Sequence, residues 1–378
     1  MAGIYIHIPF CSQACHYCDF HFSTRLGNTD RMVDAIIKEA QLRADYLAGQ
    51  AIETIYFGGG TPSIIPSSDL ERILAEIFKN HSVSSEVEIT LEGNPDDLSL
   101  SKLKELKDIG INRLSVGIQT FDEEALSFMN RSHSSTQARE CLENIRKAEF
   151  ANYTADLIFA VPPEKDSFHR FFNDLQELLT FRPPHVSLYG LTIEQKTVFG
   201  KWFDQEKILA VSEDENARQY ELAIELLTDA GFDHYEVSNF GLPGKISRHN
   251  SSYWKGAWYL GLGPSAHSYN GLSRSINVPN NVKYLKAIED STPALETEIL
   301  SDTQQLNEYI LTGIRTKWGI DLGLIQKKWG LDFLSEHRSL IDALINDKKA
   351  MLTNDRFLLN SSGFSIADEL ALRFFSEE

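Results

Sequence analysis

The chain has 378 residues, and at about 150 residues per domain it holds about two domains, or one large barrel-type domain with an appendage. Hydrophobic residues make up 42% and charged residues 24%, with 22 Phe, 13 Tyr and 5 Trp, enough apolar material for a sizeable core, so global disorder is excluded. Thirty-six Lys and Arg against 54 Asp and Glu give a net charge of −18, which disfavours attraction to phosphate backbones and makes nucleic acid a poor partner.

The opening MAGIYIHIPF has no cationic leader, and no uninterrupted apolar run approaches the roughly 20 residues that span a bilayer, so a soluble cytoplasmic protein with no integral membrane segment is expected. Short β-branched or aromatic runs then alternate with amphipathic stretches of helical length to about position 235. Strands are expected at Ile4 to Ile8, Glu53 to Phe57, Val87 to Leu91, Arg113 to Ile118, Thr154 to Phe159 and Val186 to Leu191. Helices between them begin near Thr29, Ser67, Ser99, Asp122, Ser134 and Ser167, most with a Ser, Thr or Asp available as N-cap. Strands joined by helices imply parallel pairing with right-handed crossovers, hence an α/β fold whose sheet is open or curled into a partial barrel. One further helix covers Glu213 to Ala230, and a glycine- and aromatic-rich stretch from Phe232 to Ser273 follows with no clear period, read as functional loop structure. From Ser301 come three helical stretches, a hairpin turning at Asn354 and Asp355, and a final helix, in winged-helix-like order. Nine Lys or Arg against twelve Asp or Glu there argue for docking or covering a site rather than for binding DNA. The expected organisation is therefore 1–235, a connecting region 236–300, and a mainly helical domain 301–378.

Three of the four cysteines, Cys11, Cys15 and Cys18, are spaced C-x3-C-x2-C just after the first strand and Pro9, which points to metal or redox chemistry rather than a disulfide framework. Three thiolates can hold three irons of a 4Fe-4S cube and leave the fourth iron open. Zinc completed by His7, His16 or His21 is the rival reading, and coincidental spacing is the third; the triplet alone leaves all three open. Cys141, in an amphipathic helical stretch, is expected to be a small core residue.

The stretch IYIHIPFCSQACHYC, with Tyr17 before the last cysteine, resembles the coproporphyrinogen-oxidase-like branch of the radical S-adenosylmethionine (SAM) superfamily. The resemblance implies a partial (β/α)6-type barrel in which the open iron chelates the methionine part of SAM. Gly58-Gly59-Gly60-Thr61-Pro62 follows the second strand at its carboxyl end, where α/β proteins place ligands, and lacks the Gly-Lys-Ser/Thr of a P-loop. Glu92, Gln119, Arg131 and Asp156 fall at or near the ends of later strands, where together they would surround one cavity. The resemblance implies that Tyr5, Tyr17, Gly59, Gly60, Thr61 and Glu92 serve SAM, and that Gln119, Arg131 and Asp156 serve a second SAM or the same pocket.

Arg248 to Tyr269 concentrates His, Trp, Tyr and Gly. Imidazole can ligate heme iron, aromatics can cover a macrocycle and Arg248 can pair with a propionate, although local turn formation and packing against the barrel explain the same residues. His249, Asn250, Tyr253 and Trp254 match the H-N-x-x-Y-W pattern of the HemW-type heme chaperones. That resemblance implies a heme site with His249 as axial ligand, a chaperone that hands heme to recipient hemoproteins, respiratory-chain enzymes among them, and self-association as a homodimer. Two departures from the oxidases agree with it: the chain begins almost at the first strand, and Asp19-Phe20 stands where they carry a further cysteine. The alternative is radical SAM oxidative decarboxylation of coproporphyrinogen III. The sequence leaves open whether the chain is an enzyme.

Overall fold

The computed structural model describes residues 2–377. Six strands, β1 (Ala2–Ile8), β2 (Ile52–Gly59), β3 (Val83–Gly93), β4 (Arg113–Gln119), β5 (Tyr153–Phe159) and β6 (His185–Gly190), pair in sequence order and in parallel, at the expected places. Helices over Thr29–Leu42, Ser67–Asn80, Leu100–Asp108, Ser135–Lys147 and Glu164–Phe181 connect them. Local sequence sets several of their starts. Ser99 and Asp122 accept hydrogen bonds from backbone N–H groups of the first turn, and Ser134 forms a reciprocal capping box with Gln137. The helix expected near Ser167 begins earlier, at Glu164, because Pro163 needs no N–H partner and Glu164 and Asp166 favour the helix N-terminus electrostatically.

Alternation along the strands creates two environments. Ile4, Ile6 and Ile8 of β1, Ile55 and Phe57 of β2, and Ile89 and Leu91 of β3 join one core with Val33 and Ile36 of the first helix. Their neighbours Tyr5, His7, Tyr56 and Glu92 occupy the intervening positions and carry the polar chemistry.

The stretch Phe232 to Ser273, expected as loop, is largely ordered structure. β7 (Asp233–Glu236) and β8 (Asn239–Gly241) form an antiparallel hairpin beside β6, and Arg248–Trp254 is a two-turn helix. β9 (Trp258–Leu262) pairs in parallel with the far side of β1, and β10 (His267–Tyr269), β11 (Ser273–Asn277) and β12 (Leu295–Ile299) continue the sheet antiparallel beyond it. The twelve-stranded order is β12-β11-β10-β9-β1-β2-β3-β4-β5-β6-β8-β7, linear rather than closed. Strands of three to five residues broken by Gly256, Gly263 and Gly271 are too short to show a period of two. Leu260, Leu262, Tyr284, Leu285 and Ile288 belong to the same core as β1, so much of the expected connecting region is built into the barrel.

A second core, from Leu306 to Phe374, holds the C-terminal domain: helices Asp302–Ile314, Leu322–Trp329, Arg338–Asn346 and Ala367–Phe374 around a small sheet of β13 (Ile320–Asp321), β15 (Arg356–Leu359) and β14 (Ala350–Leu352). Among the described residues no helix is long and apolar enough to cross a membrane.

A buried ion pair ties the late strands to the barrel. Glu39 and Arg43, one helical turn apart, lie 3.2 Å from each other with side chains 0% and 6% exposed. Glu39 also accepts from Gly263 N, Asn277 Nδ2 and Tyr284 Oη at 2.7–2.8 Å, while Arg43 donates to Gly261 O and Ser268 Oγ at 2.9 Å. Removing one member of such a pair leaves the other buried and unpaired, at about 3–5 kcal/mol. Glu39→Ala is expected to lower the urea midpoint accordingly; an unchanged midpoint would show that the network contributes nothing.

Candidate functional site

The cysteine loop leaves the carboxyl end of β1 and is pinned at its neck, where Cys11 N donates to Ser23 O and Ser23 N to Pro9 O. Its far side rests on residues 128–131. His16 N donates to Met129 O, the His16 ring bonds Phe128 O, Gln13 donates to Asn130, and Asn130 Nδ2 donates to Ala14 O. Cys11, Cys15 and Cys18 are thus held on one loop and feel one another electrostatically, and burial pushes the Cys11 thiol up and the Cys18 thiol up to about 12. Thiols so disposed stay protonated until a bound cation favours the thiolate and their protons are released to solvent. Cys141 is buried in its helix, as expected.

The glycine loop is pressed against the start of the cysteine loop. Gly60 N donates to Ile8 O at 2.8 Å and Thr61 N to Phe10 O at 2.7 Å. A Cβ on Gly60 would lie 2.4 Å from Phe10 O, and one on Gly59, whose φ is +106°, would strike the His7 ring at 2.5 Å. Both positions therefore require glycine. The Thr61 hydroxyl bonds the Cys11 thiol. Glu92 accepts from Tyr56 Oη at 2.7 Å and Gly59 N at 3.2 Å, and enclosure raises its carboxyl.

Arg131 spans the loop and the strand ends. Nη1 lies 3.4 Å from Cys15 Sγ and 3.2 Å from Tyr17 Oη, Nη2 donates to Asn94 Oδ1 at 2.7 Å and Gly117 O at 3.1 Å, and Nε is buried without a partner. Gln119, at φ +66°, brings its amide beside Gly117 and Arg131. Asp156 accepts from Ser115 at 3.2 Å, and burial, then the Glu92 charge, push its carboxyl up to about 7.

One large cavity, about 840 Å³, opens beside these groups. Tyr5, His7, Gly59 and Glu92 line its barrel side, Tyr253, Trp254, Tyr259, His267, Tyr269 and Arg274 the late strands' side, and Glu308, Tyr309, Lys328 and Trp329 the C-terminal domain's side. The cavity is not the one expected around all the strand ends. Gln119, Arg131 and Asp156 lie off its wall, because Arg131 is drawn to Cys15, Asn94 and the Gly117 carbonyl while Asp156 turns to Ser115.

His249 also differs from expectation. It is 1% exposed, with Nδ1 2.8 Å from Thr54 Oγ1, Nε2 2.8 Å from Tyr253 Oη and its ring stacked on Tyr56, so it offers no free nitrogen to an axial position. Asn250 lies in the first turn of the same short helix, whose N-cap is Ser247, and Arg248 is turned away to Glu53 and the Glu86 carbonyl.

The histidines of the zinc reading are engaged elsewhere: His7 between Tyr5 Oη and His21 O, His16 with Phe128 O, His21 with Asn281 Oδ1. Among the described residues no three His, Cys, Asp or Glu side chains converge as a single ion would require. A multi-iron cluster, which takes one thiolate per iron, suits the three-cysteine donor set. SAM suits its surroundings too, since an amino acid portion needs an acceptor such as Glu92 and a donor such as the unpartnered Arg131 Nε.

Comparison with known proteins agrees. The Radical SAM superfamily model matches residues 5–175, and the HemN C-terminal domain model matches residues 300–366. Heme chaperone HemW of Lactococcus lactis is 35% identical over 374 residues, covering 99% of this chain and 97% of that protein. The chain belongs to the HemW family. Heme chaperone HemW of Bacillus subtilis is 33% identical over 87% of each chain. The solved coproporphyrinogen III oxidase HemN of Escherichia coli superposes with a TM-score of 0.85 over 99% of this chain and 90% of that one at 22% identity, which shows the shared fold. As a radical SAM protein, the HemW-family chain has a 4Fe-4S cluster and SAM as its cofactors, and Cys11, Cys15 and Cys18 stand at the superfamily's cysteine motif.

Sequence reasoning missed Tyr56 and Asn94, which anchor Glu92 and Arg131, and the cavity residues His267, Arg274, Tyr309, Lys328 and Trp329. The first two stand one alternation or one turn from residues that were singled out. The others become neighbours only through β9 pairing with β1 and the C-terminal domain folding back.

Cys15→Ala is expected to abolish the 4Fe-4S chromophore after anaerobic reconstitution while leaving the melting curve intact; a retained chromophore would remove Cys15 from the ligand set. A second expectation concerns pH. With its folded-state pKa raised to about 7, Asp156 costs nothing while protonated in both states, and it destabilises the fold progressively as pH rises from about 4 to 7. Asp156→Asn should therefore gain stability over the parent across that window, on the order of 2–4 kcal/mol by urea unfolding at pH 8 against pH 4. A pH-independent difference would contradict the raised carboxyl.

Proposed function

We propose that this protein is a heme chaperone that accepts heme and transfers it to recipient hemoproteins, built on a radical SAM scaffold. The observation that carries the reading is the cavity, whose roughly 840 Å³ joins the SAM side of the barrel to an aromatic wall that includes Tyr253 and Trp254 of the H-N-x-x-Y-W segment. That volume suits a flat macrocycle better than a small polar substrate. The relatives named heme chaperone HemW support the same assignment.

In this reading Cys11, Cys15 and Cys18 ligate three irons. When bound, the cluster supplies an open iron for the methionine group and one electron to its sulfonium. Glu92 would accept from the ammonium of SAM, held ready by Tyr56, while the Gly59 and Gly60 backbone holds Glu92 and the cysteine loop together and Arg131 Nε would donate to the carboxylate. Tyr5, Tyr17 and Thr61 frame that site through His7, Arg131 and Cys11 respectively, and Gln119 and Asp156 extend its polar side toward β4 and β5. The heme site is the segment His249, Asn250, Tyr253 and Trp254 with the facing C-terminal domain. The protein acts in the cytoplasm, associates as a homodimer and counts respiratory-chain enzymes among its recipients.

The test is a heme titration of anaerobically reconstituted protein, with a parallel incubation with coproporphyrinogen III, SAM and reductant. Saturable one-to-one heme binding, and no loss of porphyrinogen carboxylates by mass, are expected. Catalytic decarboxylation would make the protein an oxidase instead.

A further inference from the structure

The H-N-x-x-Y-W segment forms a two-turn helix, and its i,i+4 pair falls on one face. His249 is behind that face, its ring clamped between Thr54 Oγ1 and Tyr253 Oη and stacked at 4.8 Å on Tyr56. Tyr253 is in front: its ring is in edge contact with Tyr259, and it lines the cavity from which His249 is screened. The Glu88 carboxylate fixes the start of the helix by accepting from the backbone N–H groups of Arg248 and His249 at 3.2 and 3.0 Å. Thr54, Tyr56 and Glu88 come from β2 and β3, so the pair is held by the sheet and not by its own short helix.

We propose that Tyr253 is the iron ligand for ferric heme and that His249 is its positioning partner, donating Nε2–H to the phenolate oxygen. This deepens the heme-chaperone reading and rests on it. On ligation the Tyr253 Oη–iron bond forms, the phenolic proton leaves to solvent together with the water or chloride carried by ferric heme, and His249 Nε2–H holds the phenolate oxygen across the 2.8 Å hydrogen bond. The iron stays ferric, and no electron moves. The His249 ring stays neutral, as its burial favours, with Nδ1 accepting from the Thr54 hydroxyl at 2.8 Å and its face stacked on Tyr56. Phenolate is an established ligand type for ferric heme. The arrangement explains why a histidine with no access to the cavity sits four residues before one of its wall tyrosines.

Resonance Raman of the ferric heme complex of the full-length, reconstituted protein reads this directly. Phenolate modes and an iron–oxygen stretch are expected in the parent and absent from Tyr253→Phe, which retains the ring and its packing. His249→Gln should shift the iron–oxygen stretch and weaken heme binding by about 10–100-fold, the usual effect of losing an outer-sphere partner. A histidine-ligated parent spectrum would overturn the proposal even if Tyr253→Phe fails to fold. So would phenolate modes that persist in Tyr253→Phe; His267, on the same cavity wall and free of side-chain hydrogen bonds among the described residues, is the ligand to examine in the histidine case. A parent that shows no saturable heme binding would instead defeat the chaperone reading itself.

Discussion

The Glu39–Arg43 pair decides what the rest of the molecule can do. A parallel barrel of six strands ends at β1 on one side, and nothing in β1 to β6 supplies a wall for a large ligand there. The pair sits on the first helix and reaches past β1 to bind Gly261, Gly263, Ser268, Asn277 and Tyr284. Two buried charges are tolerated because nearly every donor and acceptor they present is used. The late strands are thereby locked to the barrel in one register, and His267, Tyr269 and Arg274 project along one wall of the cavity.

A second constraint acts at the other side of β1. The cysteine loop and the glycine loop are neighbours because Gly60 and Thr61 donate to the carbonyls of Ile8 and Phe10, an approach that any side chain at Gly60 would block. Through Gly59 the same loop places a backbone N–H on Glu92, and through Thr61 a hydroxyl on Cys11. The Cys11 thiol and the Glu92 carboxylate are therefore both tied to one short backbone segment. Arg131 supplies the remaining tie, with four hydrogen-bond contacts to the scaffold and Nε buried without a partner.

How much of this was legible beforehand follows from the range of each interaction. The six parallel strands were visible because β-branched runs and helix caps are local, and Cys11, Cys15, Cys18 and the Gly59-Gly60-Thr61 loop because their spacing is itself the signal. β9 was hidden, since a five-residue strand flanked by glycines has no readable period and its parallel partner lies some 250 positions earlier in the chain. His249 was expected as an axial ligand, a role that depends on which way the ring faces. Thr54 and Tyr56, on a strand nearly 200 residues away, settle that direction. The cavity's third wall was invisible for the same reason, because Glu308, Tyr309 and Lys328 read in sequence as the ordinary polar and amphipathic positions of surface helices.

The way the C-terminal domain is fastened bears on cargo that must leave again. On one side it joins the barrel through main-chain bonds, Val237 N to Arg315 O and Lys317 N to Tyr235 O, both 3.0 Å, around a bridge between Glu236 and Thr316. At the cavity the contact is of another kind: Arg274 with Glu308 at 2.7 Å, both partly exposed. A partly exposed ion pair contributes about 0.2–1 kcal/mol, so the cavity side is held more weakly than the main-chain side. A ligand whose propionates compete with Glu308 for Arg274 exchanges one ion pair for another at little net cost. The main-chain bonds hold one edge of the domain, an exchangeable ion pair lies at the cavity, and the cysteine loop is fixed to β1 independently of both.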